Sequence, residues 1–167
     1  MDRHSSLPRG DGTPPSSELD GYDMKILNSL VGDGRMSWRD LSERIGLSLT
    51  PTLRRVRRLE ASGYIEGYTA ILDEQRLIGS LSAFVSVTLE KQSDETLGMF
   101  ETQVALLDEV TSCFMMTGSF DYLVRVVVRD LTHYQGLVTK LARIPNVAHI
   151  NSSFVLKAVV RRPGLPI

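Results

Sequence analysis

Apolar residues recur at helical spacing through Met24, Ile26, Leu27, Leu30 and Val31, which predicts a first helix entered near Leu19 with Asp20 as N-cap and Asp23 three residues on. Gly32-Asp33-Gly34 closes it as a turn, because no strand precedes the glycines and no Lys-Ser/Thr pair follows them. Ser37 opens a second helix with a capping box in which its hydroxyl serves the Asp40 N–H and the Asp40 carboxylate reaches back to the Ser37 N–H. Leu41 and Ile45 share one side of that helix, and Gly46 suits the left-handed position just past its end. The third helix spans Ser48 to Glu60, where Leu53, Val56 and Leu59 fall on one side and Arg54, Arg55, Arg57 and Arg58 share an outer arc. Gly63 ends it, and the weak alternation of residues 64–72 predicts a short hairpin or wing running into an extended linker.

Beyond the polar stretch from Asp73 to Ser80 the period alternates between two and 3.6. Leu81, Ala83, Val85, Val87 and Leu89 make one face of a strand, and Asp94 is the expected cap of a helix carrying Leu97, Phe100, Val104 and Leu107. Strands are expected over 110–117 and 122–129, joined by a turn at Gly118 to Asp121. A helix begun by Thr132 and Gln135 as a capping box comes next, then a last strand from about Ala148 to Val160. The order β-α-β-β-α-β is the ferredoxin-like arrangement, an antiparallel sheet with both helices on one face. Phe84 and Phe154 are expected on the other face, where burial requires a partner, so a homodimer is expected.

The fold class is therefore α+β in two domains: a winged helix-turn-helix over 19–67 and a ferredoxin-like oligomerisation domain over 81–167, to which the family resemblance given below adds a ligand-sensing role. Residues 68–80 are read as the linker, and the Ser/Pro/Gly-rich residues 1–18 as a disordered tail.

Composition narrows the class. The 167 residues suit two small domains, and 42% hydrophobic content supplies cores for both. With 19 Lys plus Arg against 20 Asp plus Glu, attraction to nucleic acid has to come from local clustering, and the arginine helix is that cluster. The single cysteine, Cys113, excludes an intramolecular disulfide and a cysteine-based zinc site, and on a strand it reads as a small buried hydrophobe. With no bilayer-length apolar run and no signal peptide, the protein is expected in the cytoplasm, on the nucleoid rather than at a membrane. His4, His133 and His149 lack metal-ligand spacing, and the Gly118 turn lacks a nucleophile-elbow pattern. No catalytic residue, metal or cofactor is assigned.

In a helix-turn-helix the second helix of the motif enters the major groove of double-stranded DNA. Ser48, Thr50, Thr52, Arg54, Arg55, Arg57 and Arg58 are thus the expected DNA-binding residues, joined by Ser37 and Trp38 at the start of the preceding helix.

The chain also resembles the Lrp/AsnC, or feast/famine, family of transcription regulators. The resemblance is carried by Leu-Asp-Gly-Tyr-Asp-Met-Lys-Ile-Leu from Leu19, Asp-Gly-Arg-Met-Ser from Asp33, Gly-Leu-Ser-Leu-Thr-Pro-Thr-Leu-Arg-Arg-Val-Arg-Arg-Leu-Glu from Gly46 and Ile-Glu-Gly-Tyr-Thr-Ala from Ile65. Thr-Gly-Ser-Phe-Asp-Tyr from Thr117, Val-Arg-Asp-Leu from Val128 and Ser-Ser-Phe-Val-Leu-Lys from Ser152 continue it. It implies a C-terminal sensor domain of the RAM type, dimers assembling further to an octamer (a tetramer of dimers), and an amino-acid effector bound between sensor domains. It also implies effector contacts at Thr117, Gly118, Ser119, Phe120 and Asp121, with Ser152 and Ser153 nearby. Two residues depart from the family pattern: Leu49 stands where proline is common, and Ser119 where an aspartate is usual, which removes a charge from the expected effector contact. The function expected is sequence-specific regulation of transcription coupled to amino-acid binding. The alternatives are an effector-insensitive architectural DNA binder and a sensing module that regulates an enzyme by direct contact.

Overall fold

The computed structural model describes residues 19–79 and 81–160. The expected N-terminal tail lies outside the described residues. The chain divides into two compact units, with the break between Ala70 and Ile71.

The first unit contains α1 (Gly21–Gly32), α2 (Trp38–Ile45) and α3 (Leu49–Ala61). Asp20 caps α1 by accepting the N–H groups of Tyr22 and Asp23, and the Asp23 carboxylate accepts the Asp20 N–H in return at 3.0 Å. At α2 the expected reciprocal box is replaced by a tighter local pair. Ser37 Oγ accepts the Asp40 N–H at 3.2 Å and donates to Asp40 Oδ2 at 2.7 Å, so the carboxylate binds the hydroxyl in place of the backbone. Gly46 ends α2 at φ +76, a conformation that a side chain with Cβ resists. Ile26, Leu27, Leu41, Ile45, Val56 and Leu59 form the core where the three helices meet. The expected wing does not form a strand: residues 64–72 enter no ladder. The Tyr64 and Ile65 N–H groups are spent on the Leu59 carbonyl at the end of α3, and among the described residues of this unit there is no strand for residues 66–70 to pair with.

The second unit begins with α4 (Glu74–Leu77), one turn of helix inside the stretch read as a linker. Next come β1 (Leu81–Leu89), α5 (Asp94–Ala105), β2 (Val110–Met115), β3 (Tyr122–Val128), α6 (Leu131–Ala142) and β4 (Val147–Phe154). All pairings are antiparallel and the strand order is β2-β3-β1-β4, the ferredoxin-like topology. The helix starts sit slightly earlier than expected, at Ser93, which accepts the Thr96 N–H, and at Asp130, which accepts the His133 N–H. In each case the short polar side chain just before the apolar stripe won over the one inside it.

Register sorts the two sheet faces. Ala83, Val85, Val87 and Leu89 pack with Phe100, Val104, Leu137 and Leu141 of the helices. Phe154 pairs with Ala83, so it points to this helix-covered face, against the Tyr134 ring 4.8 Å away, and not to the open face expected from sequence. Phe84 pairs with Arg125 and Ser153 on the opposite face and is exposed. Part of that face is already covered: Val127 is 3% exposed and shares a cleft with Leu77 and Ile78 of the α4 segment. Cys113 is exposed on the edge strand β2, contrary to the buried role expected, because an edge strand has cover on one side only. Local desolvation still pushes its thiol up to about 11.

Candidate functional site

The helix-turn-helix side chains divide by what they touch. Ser48 is the N-cap residue of α3, yet its hydroxyl makes no capping hydrogen bond. Ser48, Leu49 and Thr50 are exposed at the start of the helix. Thr52 is fully buried, its hydroxyl donating to the Ser48 carbonyl at 3.0 Å. Lying four residues before Val56 and seven before Leu59, it belongs to the core stripe and cannot reach a surface ligand, which corrects its placement among the DNA-contacting residues.

The four arginines do not form one outer face. Arg54 and Arg57 are exposed and make no ion pair among the described residues. Arg55 and Arg58 turn toward α1. Arg55 Nη1 donates to Asp23 Oδ1 at 2.9 Å and to Asp20 Oδ2 at 2.6 Å, while Arg58 Nη2 donates to Asp23 Oδ2. The reason is steric as well as electrostatic, since Arg55 and Arg58 flank the buried stripe and the Asp23 side chain, 0% exposed, has to be neutralised from that side. The Asp20 carboxyl is held below the usual carboxylate range chiefly by the Asp23 N–H, which outweighs the opposing effect of burial, with Arg55 and the Tyr22 N–H lowering it further. Ser37 and Trp38 lie exposed at the start of α2, with the Trp38 ring edge-on to Tyr68 at 6.5 Å.

In the second unit the β2–β3 turn is pinned to β1. The Met116 N–H donates to the Asp121 carbonyl at 2.8 Å, and the Asp121 N–H donates to the Val87 carbonyl at 2.9 Å. The buried Asp121 carboxylate accepts the Leu89 N–H at 2.7 Å and the Gln92 amide at 2.5 Å. Thr117, Gly118 and Ser119 project from this anchor into solvent, Phe120 is half-buried, and Gly118 adopts φ +124. Ser152 and Ser153 do not join them within the chain. They lie on β4, separated from β2 by both β3 and β1, and they face opposite sides of the sheet. Ser152 is on the helix side, accepting the Tyr134 hydroxyl, and Ser153 is on the open side. Among the described residues no group of His, Cys, Asp and Glu could hold a metal ion, and no helix is long and apolar enough to cross a membrane.

Two family descriptions match the chain: winged helix-turn-helix DNA-binding over residues 19–66 and Lrp/AsnC ligand binding domain over residues 82–165. The chain is 56% identical to the Bkd operon transcriptional regulator of Pseudomonas aeruginosa over 152 residues, 90% of this chain and 99% of that one. The chain belongs to the Lrp/AsnC family. It is a DNA-binding transcriptional regulator.

Other Lrp/AsnC proteins agree over almost the whole length. The leucine-responsive regulatory protein of Escherichia coli K12 is 42% identical over 154 residues, 92% of this chain and 94% of that one. A transcriptional regulator from Neisseria meningitidis, solved as a complex with L-methionine, superposes with a TM-score of 0.85 at 35% identity, covering 89% of this chain and 97% of that one. The residues that sequence reasoning missed in this Lrp/AsnC chain are Gln92 and Tyr134, the partners of Asp121 and Ser152. Neither lies in a motif that would mark it, since each is a lone polar group brought close by tertiary packing. Asp20 and Asp23 are visible in sequence as a cap, but their second role, holding arginines thirty-odd residues away, has no local signal.

Proposed function

We propose that this Lrp/AsnC regulator contacts double-stranded DNA through the exposed side of α3, with Ser48, Thr50, Arg54 and Arg57 as the primary contacts and Ser37 and Trp38 of α2 at the flanking backbone. The observation that carries this is the split of α3. Its stripe of Thr52, Val56 and Leu59 is committed to the core, whereas Arg54 and Arg57 stand in solvent with no intramolecular anion among the described residues. A free guanidinium on a helix-turn-helix is a ready donor to phosphate oxygens and base edges.

The second half of the reading is an amino-acid effector held near Thr117, Gly118, Ser119 and Phe120, with Asp121 serving as the anchor of that turn. Two relatives support an effector of this class, one named for its response to leucine and one solved with L-methionine. Because Ser152 and Ser153 stand two strands away from the turn, they take part only if a second subunit brings them there. A dimer through the open sheet face, which exposes Phe84 and Phe114, and a further octamer of four dimers fit that requirement. The protein works in the cytoplasm on the nucleoid, and its role is regulatory, with no catalysis of its own.

A second reading is favoured by one observation: Thr117, Gly118 and Ser119 are the exposed part of the turn and none of them is charged, which suits a regulator whose DNA occupancy is set by assembly alone. Replacing Arg54 and Arg57 with Ala is expected to lower the slope of log affinity against log salt by about 0.9 for each phosphate no longer neutralised. An unchanged slope would remove the α3 interface. Thermal denaturation with each of the twenty amino acids separates the two regulatory readings. A stabilising effector at about 100 times its Kd adds roughly 2.7 kcal/mol, and no shift with any of them selects the assembly-only form.

A further inference from the structure

Resting on the reading of α3 as the DNA-contacting helix, we infer that Asp20 and Asp23 set how many positive charges that helix delivers to DNA. They hold Arg55 and Arg58 in a charge-neutral clasp and leave Arg54 and Arg57 as its phosphate-competent cations.

Four arginines on a thirteen-residue helix would make a strongly sequence-blind surface, because each phosphate contact gains affinity from counterion release whatever the bases are. Two carboxylates from the start of α1 offset two of those charges. Asp23 has no solvent of its own: both oxygens are occupied, Oδ1 by Arg55 and Oδ2 by Arg58 together with the Asp20 N–H. If a phosphate drew Arg55 and Arg58 away, Asp23 would be left as a buried charge with a single backbone donor, which costs more than an exposed phosphate contact returns. Arg55 is held most firmly. It bridges both carboxylates, its guanidinium lies 5.4 Å from the centre of the Tyr22 ring, and its side chain is 22% exposed. Arg58 is tied through one guanidinium nitrogen to the same buried carboxylate.

The clasp therefore fixes the electrostatic valence of α3 at two. Each α3 then contributes about −1.8 to the salt slope, where four engaged arginines would contribute about −3.6. Weaker sequence-independent attachment leaves a larger share of total affinity to contacts with base edges, so the two aspartates act as positioning residues that favour discrimination.

The test uses the full chain and a random-sequence duplex of about 30 base pairs, with binding titrated between 50 and 200 mM salt. Asp23→Asn, which keeps side-chain shape and an oxygen, is expected to steepen the slope by up to about two units per α3, whereas Asp20→Asn, which leaves both arginines on the Asp23 carboxylate, is expected to change it by well under one unit. Asp23→Asn should also tighten random-sequence binding at 50 mM. Each freed arginine adds roughly a 3.5-fold loss of affinity over the fourfold rise in salt. Arg55→Ala is expected to leave the slope where it is, whereas Arg54→Ala lowers it by about 0.9. A merely structural role for Asp23 would weaken binding of Asp23→Asn at an unchanged slope, and that result overturns the clasp. So does a slope that falls as much with Arg55→Ala as with Arg54→Ala. Should Asp23→Asn fail to fold, the comparison of Arg55→Ala with Arg54→Ala decides by the second criterion. Absence of salt-dependent binding by the unaltered protein would instead overturn the DNA-contact reading of α3, so the two failures are distinct.

Discussion

Glu74 and Arg125 form a two-point ion pair, Arg125 Nη2 to Glu74 Oε2 at 2.7 Å and Nη1 to Oε1 at 3.3 Å, that fastens the single turn of α4 to the open face of the sheet. Both side chains are about three-quarters buried, at 27% and 25% exposure, so the pair is better shielded from solvent than an ordinary surface bridge. Glu74→Gln is expected to speed amide hydrogen exchange across residues 74–79 while lowering global stability by only about 1 kcal/mol. Unaltered exchange there would show that Leu77 and Ile78 hold α4 without the pair.

Gly79 lies just past α4 at φ +134, and a Cβ at this position would meet the Arg129 Cα at 2.7 Å and the Arg129 carbonyl oxygen at 2.8 Å. Both neighbours are backbone and cannot swing away. Gly79→Ala is expected to cost about 2–4 kcal/mol, from the strained φ and the displaced chain together. A melting temperature within a degree or two of the parent protein would contradict it.

Glu109 carries an acid-sensitive part of the stability. Its carboxylate accepts Lys140 Nζ at 2.8 Å and lies 3.1 Å from His133 Nε2, and these partners, Lys140 foremost, hold it down to about 2 from an ordinary 4.5 despite the opposing effect of burial. The folded value lies below the unfolded one, so the stabilisation is complete above about pH 4.5 and is lost as pH falls toward 2. Lys140 is 56% exposed, so solvent screening limits the contribution to about 1–2 kcal/mol. Glu109→Gln should flatten stability against pH between 4.5 and 2, as followed by urea denaturation at several pH values.

Asp121 distinguishes an anchor from a ligand contact. Asp121→Ala would leave the Leu89 N–H and the Gln92 amide without their acceptor, so a loss of about 2–3 kcal/mol is expected in the complete absence of amino acids. A residue that served only to bind effector would leave ligand-free stability untouched, and equal unfolding curves would give Asp121 that role.

The elements that can be read from sequence are those whose signals are local. The Asp20 and Ser37 caps, the left-handed Gly46 and the period-two run from Leu81 to Leu89 each depend on residues within a few positions of one another, and each is found. The facing of Phe154 escapes a local reading because strand register depends on pairing with Ala83, seventy-one positions earlier. The arginines show the same limit at the candidate site. A helical wheel places all four on one arc, yet it has no knowledge of α1, and Asp23 decides which of them remain free. Thr52 reads as a polar surface group, although a threonine can bury its hydroxyl against the preceding turn of its own helix.

The unengaged hydroxyl of Ser48 separates two constraints that usually act together. Removing the capping oxygen at Asp20 or Ser37 would cost each helix a hydrogen bond to its first turn, whereas α3 forms without one from residue 48. The side chain at position 48 thus stands exposed at the start of α3 and adds no hydrogen bond to its cap. Substitutions there are expected to cost the scaffold little, so under the proposed α3 interface residue 48 is a position where DNA contact can change without a matching change in stability.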